Sequence, residues 1–554
     1  MDNKKNFSNE IRAYALKNAI EFGKVDASKI LPKLFQHGLE KIDIKEVMPI
    51  ILRFAEEVNK LSEEDRKKHF ANYEKYILVK EEQKNELPEL HNISKKMVFR
   101  LAPFPSGDLH IGNAKTYLLN ALYAEKYNGK ILLVMDDTIG SAEKQIVPES
   151  YELIKESFDW LGVKYNKKII YKSDRLKIYY KYAEKLIRKG FAYVCHCLQE
   201  QMRENRKEGK ECSCRQFSAK MQLKRWKEIF NLKEGLATLR IKTDMQHPNP
   251  AFRDRVLFKI SDRTHPRIKN KFRVWPTLEM SWAIDDYLLG ITHILRGNDL
   301  TIETDMEKFI WDIFGWKHIE TIHTGLVKIE GIEGAKLSKS KSQEEVKSGN
   351  FVGWDDPRTW SIHSLKKRGI SPEAVREFVK ELGVNKSDIS VPIDVLYSIN
   401  RKIIDKEADR YSFIVSPVKI QIENNPGVKF IEVPIHPDRK ETRKLKVENE
   451  IFINGEDFNK YKNREIRLLH LFNLILKEKS KISSIDNKNI QKINWVCENV
   501  QCGILMPDGN WKEGIAEISI SELKENSLIQ FERFGFVKFI GKRKNIYEFY
   551  FTHP

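Results

Sequence analysis

RLAPFPSGDLHIGN, residues 100–113, joins an apolar run to a helical pattern. The run before it, MVFRLA (Met97 to Ala102), has strand character. The pattern after it, Ile111 to Tyr127, repeats apolar residues at helical spacing, with Gly129 placed to cap its end. ILLVM (Ile131 to Met135) follows as a second buried strand. Strand, loop, helix, strand is the βαβ unit of a doubly wound α/β sheet, where ligands bind beyond the carboxyl ends of the strands. Pro103 and Pro105 stiffen the loop and Gly107 removes side-chain bulk. A helix N-terminus attracts anions through its free N–H groups and its dipole. His110 can donate to phosphate oxygens, Gly112 leaves bare backbone for an adenine, and Asn113 adds a polar contact one turn on. Pro103, Gly107, His110, Gly112 and Asn113 are therefore the candidate residues of this loop for holding phosphates and a base.

Working outward, the N-terminal stretch reads as helices. Ile11, Ala15, Ala19 and Phe22 recur at helical spacing, as do Val47, Ile51, Phe54 and Val58. From about Tyr193 to Arg273 the α/β rhythm breaks, and LATLRI and RVLFKI alternate as strands. Strand signals return at THILRG (Thr292 to Gly297) and HTGLVKI (His323 to Ile329). After about Val391 short strands crowd together (YSFIV, VKIQI, KFIEV, EIFING, SLIQFERFGFVKFI, YEFYF), a pattern that suggests β-barrels. The expected division is 1–95 helical; 96–192 with 274–345 a Rossmann-type catalytic domain; 193–273 an inserted domain; 346–390 a helical connector; and 391–554 β-barrels.

GAKLSKSKS (Gly334 to Ser342) is a Gly/Ser loop whose lysines, Lys336 and Lys339, could neutralise charge developing on a phosphate. Cys195, Cys197, Cys212 and Cys214 form two C-x-C pairs, a donor set suited to one tetrahedral structural zinc, with His196 an alternative ligand. Cys497 and Cys502 lie far off and are expected to pack. The chain of 554 residues carries a net charge of +18, which favours a polyanionic partner, nucleic acid first. No apolar run approaches the roughly 18–20 residues that span a bilayer, and the N-terminus has no signal core. A cytoplasmic monomer without membrane contact is expected.

The frame R-x-A-P-x-P-S-G-x-L-H-I-G resembles the HIGH signature of class I aminoacyl-tRNA synthetases, with Asn113 at its fourth position. KLSKS, with Lys336 and Lys339, resembles their KMSKS signature. GWDDPRTWSIHSLKKRGISPEAVREFV (Gly353 to Val379) is similar to the segment leading from catalytic to anticodon-binding regions in archaeal-type glutamyl and in glutaminyl enzymes. The resemblance implies catalysis by His110, Lys336 and Lys339, ATP binding by Pro103, Gly107, His110, Gly112, Asn113, Lys336 and Lys339, and ATP brought with Mg²⁺. It implies a glutamate pocket of Arg100 on the side chain, Asp136 on the ammonium, Ala102 and Ser106 in the loop, and Arg296. At that last position glutaminyl enzymes carry a small neutral residue, and a guanidinium suits a carboxylate better than an amide. Leu278 stands where many relatives have a tyrosine. The implied partners are L-glutamate and tRNA-Glu, with charging of tRNA-Gln left open. The rival readings are a glutaminyl enzyme, against which Arg296 argues, and a tRNA-binding paralogue without catalysis, against which His110, Lys336 and Lys339 argue.

Overall fold

The computed structural model describes residues 7–35, 37–39, 43–77, 86–140, 145–332 and 339–554, without the side chains of Glu21, Phe22, Lys339 and Ser340. Its two units are Met1–Glu86 and Leu87–Pro554.

The first unit is helical: α1 (Ser8–Phe22), α2 (Leu31–Phe35), α3 (Ile44–Asn59) and α4 (Glu63–Tyr73). The apolar positions read from the sequence make its core, with Ile11, Ala15 and Ala19 of α1 buried alongside Val47, Ile51, Phe54 and Val58 of α3. Phe22, the last of the α1 set, has its side chain outside the described residues.

The second unit opens with β1 (Val98–Leu101), α5 (Ile111–Lys126) and β2 (Lys130–Met135), followed by α6 (Ser150–Trp160), β3 (Ile170–Tyr171) and α7 (Leu176–Arg188). β1, β2 and β3 pair in parallel, as a βαβ unit requires. The turn after α5 differs from expectation. Asn128, at φ +50°, takes the left-handed position, not Gly129. Gly129 is small for another reason: a Cβ there would stand 3.0 Å from the Met97 Cβ and 3.1 Å from the Met97 carbonyl oxygen, so the glycine lets the turn press against the start of β1.

The chain then leaves the parallel sheet for β4 (Ala192–Cys195), α8 (Gln199–Glu208), α9 (Ala219–Glu228), β5 (Thr238–Ile241), β6 (Val256–Ile260) and β7 (Val274–Pro276). These four strands form an antiparallel sheet in sequence order. It returns through α10 (Leu278–Leu288), β8 (His293–Gly297), α11 (Thr301–Phe314), β9 (Glu320–Thr324) and β10 (Val327–Glu330). β8 pairs β9 in parallel. HTGLVKI is not one strand. It breaks at Gly325, where a Cβ would fall 2.0 Å from the Ser387 carbonyl oxygen, and β10 pairs instead with β11 (Ile389–Pro392).

Between β10 and β11 stand α12 (Lys339–Lys347), α13 (Ile362–Arg368) and α14 (Pro372–Leu382); α15 (Asp394–Ile404) follows. Beyond Asp409 the chain is almost all strand, in two seven-stranded sheets and a hairpin of Phe430–Pro434 with Thr442–Lys446. Where the sequence suggests barrels, the strands form sheets of mixed pairing, each open with two edge strands.

Candidate functional site

β1 and β8 lie side by side, but their ladder does not continue. The Thr292 N–H donates to the Val98 carbonyl at 2.9 Å, and the Val98 N–H to Thr292 Oγ1 at 2.9 Å. Further along, the Asn120 side chain from α5 takes both backbone bonds of Leu295: Nδ2 donates to its carbonyl at 2.9 Å, and its N–H donates to Oδ1 at 3.1 Å. The strands therefore part toward their carboxyl ends, as at the switch point of a doubly wound sheet. A cavity of about 190 Å³ opens there, lined by Arg100, Ala102, Gly112, Asn113, Trp282 and Arg296 among others.

The signature loop forms one wall. His110 is the N-cap of α5, and its Nδ1 accepts the Asn113 N–H at 3.3 Å. In a neutral ring that leaves the proton on Nε2, which is then the donor. Gly112 keeps the backbone bare beside this ring: a Cβ would stand 3.1 Å from it. The Asn113 Oδ1 is buried with no hydrogen-bond partner among the described residues, an orphan that a bound ligand would satisfy. Gly107 has φ +153°, and a Cβ there would fall 2.2 Å from the Trp354 ring. Pro103 accepts the Asp136 N–H at 3.0 Å, while the Ser106 N–H turns inward to Phe104.

Of the expected glutamate residues, Arg100, Ala102 and Arg296 line the cavity while Asp136 and Ser106 do not, and the charged ones are not free. Arg100 gives Nε and Nη2 to Asp286 at 2.5 and 2.9 Å. Arg296 gives both terminal nitrogens to Glu307, and its Nε is buried without a partner among the described residues. Asp136 meets Lys172 at 3.0 Å. The cations of Arg100, Lys172 and Arg296 stand 4.7, 4.8 and 5.3 Å from the centre of the Trp282 ring, so one indole gathers all three. Burial would lower the Arg100 pKa, but Asp286 holds it above its usual value. Burial drives Glu307 up despite Arg296, and drives Lys172 down despite Asp136. Leu278, one turn before Trp282, is outside the cavity lining.

Asp286, Glu307, Lys172 and Trp282 escaped the sequence reading. A signal existed for some of them. In LEMSWAIDDYL an apolar helix carries Trp282 and Asp286 four residues apart, on one face. Carboxylates on such a face need buried partners. Glu307 comes from the helix after Arg296, and Lys172 from a segment well apart from Asp136 and Trp282 in sequence, and neither gave a local sign.

Lys336 lies outside the described residues. Lys339 opens α12, with its side chain outside them. The four cysteines converge: their sulfurs all lie within 4.8 Å of one another, with Cys212 Sγ 3.7 Å from Cys195 Sγ and 3.1 Å from Cys197 Sγ. Thiolates about 2.3 Å from one tetrahedral zinc would stand roughly 3.8 Å apart, so the set fits that ion closely. The Cys214 N–H and Arg240 Nη1 already donate to these sulfurs. His196 is exposed and bonds the Leu236 carbonyl instead. Cys502 is buried and Cys497 half-buried.

Comparison with known proteins gives three family matches. Residues 96–406 match "tRNA synthetases class I (E and Q), catalytic domain"; residues 408–496 and 471–540 match two models described as "tRNA synthetases class I (E and Q), anti-codon binding domain". The chain is 39% identical over 552 residues to a glutamate–tRNA ligase of Methanocaldococcus jannaschii, covering 97% of this chain and 98% of the relative. It is 40% identical over 563 residues to one from Pyrococcus furiosus, covering 96% and 97%. A solved glutamate–tRNA synthetase from Elizabethkingia anophelis aligns with 56% of this chain and 70% of its own at 22% identity and TM-score 0.40, too loose to carry any argument.

Proposed function

The chain belongs to the class I tRNA synthetases for glutamate and glutamine, and from that premise we propose that it ligates L-glutamate to tRNA-Glu through glutamyl-adenylate. The observation that carries this choice is likeness over nearly the whole length to glutamate–tRNA ligases. The cavity supports it. Arg296 lies 4% exposed at the cavity wall, where a γ-carboxylate would find a guanidinium and a γ-amide would not.

In the first step a glutamate α-carboxylate oxygen attacks the α-phosphorus of ATP, and the bond to pyrophosphate breaks. In the second, the terminal ribose hydroxyl of the tRNA attacks the mixed anhydride and AMP leaves. The chain's part is to orient and to neutralise charge. His110 Nε2, Asn113 and the α5 N-terminus face the phosphates, with Pro103, Gly107 and Gly112 allowing close approach. Lys336 and Lys339 complete the charge stabilisation. Arg100 and Arg296 hold the γ-carboxylate; Asp136 takes the ammonium with the lone pairs Lys172 leaves; Ala102 completes the pocket wall and Ser106 the loop beside it. ATP comes as its Mg²⁺ complex, in which the ion draws charge from the phosphates. Cys195, Cys197, Cys212 and Cys214 would hold a structural zinc, remote from the chemistry.

Each arginine arrives with its own carboxylate, so the pocket is nearly neutral before glutamate enters. Selectivity then rests on geometry: Asp286 and Glu307 fix the two guanidiniums, and the substrate must match them.

We read residues 1–95 as a helical extension, 96–192 with 274–345 as the Rossmann-type catalytic domain, 193–273 as the acceptor-binding insertion, 346–390 as the connector, and 391–554 as anticodon-binding barrels. One feature supports barrels. The edge strands of one sheet, Asp409–Tyr411 and Phe413–Val415, have a single residue between them, and so do those of the other, Lys492–Ile493 and Trp495–Val496. Edges joined by so short a link are what a sheet curled into a barrel would need. No helix among the described residues is long and apolar enough to cross a membrane; we place the enzyme in the cytoplasm as a monomer. Pyrophosphate exchange into ATP, with tRNA present, tests the reading. Exchange should depend on glutamate, and exchange that follows glutamine instead would reverse the assignment.

A further inference from the structure

Asp108 has no part in the chemistry above, yet it is only 1% exposed at the centre of the signature loop. Its Oδ1 accepts from the Leu109 N–H at 2.7 Å and from Ser157 Oγ at 2.6 Å. Its Oδ2 accepts from the His363 N–H at 3.2 Å and from His363 Nδ1 at 2.8 Å. The other ring nitrogen, Nε2, reaches Glu156 Oε2 at 2.9 Å. Both nitrogens face acceptors, so the doubly protonated ring satisfies both carboxylates and a neutral ring only one. Burial opposes that charge, but Asp108 and Glu156 outweigh it and hold the histidine above its usual pKa.

His363 sits in the first turn of α13, and this helix is laced to the signature at several points. Ser361, its N-cap, bridges His110. The Ile362 N–H donates to the Leu109 carbonyl at 2.8 Å, and the Ile111 N–H to the Trp360 carbonyl at 3.3 Å. The far end of α13 is fixed too. Arg368, fully buried, donates to the carbonyls of Phe551 at 3.1 Å and Thr552 at 2.9 Å in the last strand. A helix of 7 residues tied at both ends is a firm mount.

We propose that His363 is a positioning residue for nucleotide binding: by gripping Asp108 it fixes the loop that presents His110 and the α5 N-terminus to the phosphates. The proposal rests on the ATP reading above and deepens it. His363 touches no reactant and acts through Asp108. The titratable groups facing its ring are Asp108 from the loop and Glu156 from α6; on α13 itself Lys367 turns away to Asp355. Because the folded-state pKa is raised, both ring bonds are made while the ring is charged; as pH rises through that pKa the neutral ring keeps only one of them and the grip on Asp108 weakens. ATP affinity should fall over the same window.

The test is calorimetric Mg-ATP binding to the full chain between about pH 6 and about pH 9, with thermal unfolding in parallel, for wild type, His363→Ala and His363→Asn. Asparagine sets an amide donor near the Nδ1 position but does not titrate. Comparing variants with wild type cancels the titration of ATP itself. His363→Ala should bind about tenfold more weakly at the acid end, the worth of one charge-assisted bond, and lose the excess pH dependence. His363→Asn should keep most of the affinity with a flat difference profile. Wild-type pH dependence in His363→Asn, or wild-type affinity in a folded His363→Ala, would overturn the proposal. If His363→Ala does not fold, His363→Asn decides alone. A wild type that binds ATP but exchanges no pyrophosphate with glutamate sinks only the functional reading; one that binds no ATP sinks both.

Discussion

Replacing Arg296 with glutamine separates two things that the structure binds together. The guanidinium is 4% exposed and its partner Glu307 is fully buried, joined by two hydrogen bonds. Removing one member of such a pair strands the other's charge, at a cost of about 3–5 kcal/mol. Glu307 is already raised by burial and held down by Arg296. Without the arginine it should take up a proton, so the single mutant should be most stable at acid pH and lose stability as pH rises. The double mutant Arg296→Gln with Glu307→Gln replaces both charges with neutral amides and should recover most of the lost melting temperature. It should not recover selectivity. A desolvated charge partner of the substrate is worth about 2–5 kcal/mol, so kcat/KM for glutamate over glutamine should fall by roughly 30-fold or more at 1.4 kcal/mol per tenfold. The assay is steady-state aminoacylation with each amino acid, beside thermal melts of single and double mutants. A double mutant that is stable and keeps the wild-type ratio refutes the reasoning: Arg296 would then be a structural ion pair that does not read the substrate side chain.

Lys339→Ala should cut glutamyl-adenylate formation by orders of magnitude while changing ATP affinity little, since one preorganised donor is worth about 2.7–4 kcal/mol in the transition state; exchange within a few-fold of wild type would remove it from the mechanism. Elemental analysis of protein purified without chelator should find one zinc per chain, and four freely titrating thiols with no metal would contradict the assignment. Gly107→Ala should weaken ATP binding and cost about 1–3 kcal/mol of stability, because its Cβ has no room beside Trp354; an unchanged melting temperature would show that the loop gives way freely.

The signature loop and its flanking elements were legible because their information is local. Strand, proline-stiffened turn and helix follow one another, and His110 caps α5 as its place in the motif suggests. The paired cysteines were legible for the same reason, since four thiols in so short a span have few ways to fold. Partnerships between separate elements were not. Nothing near Arg296 announces Glu307 on the next helix, and nothing near Asp136 announces Lys172. The sequence reading therefore took the arginines as free charges, where the structure shows them neutralised and held. Gly129 and Gly325 misled for a related reason: each is small because a distant backbone or side chain presses on it, which no local pattern records. The lysine loop was legible as a motif, but Lys336 and the Lys339 side chain lie outside the described residues.

The central claim, that this chain selects glutamate and places it on tRNA, is tested most directly by one aminoacylation assay crossing glutamate and glutamine with tRNA-Glu and tRNA-Gln. The account predicts efficient transfer of glutamate to tRNA-Glu and negligible transfer of glutamine to either tRNA; glutamate on tRNA-Gln as well would widen the tRNA choice and leave the pocket as described. Glutamine transferred to tRNA-Gln in preference to glutamate on tRNA-Glu would contradict the account.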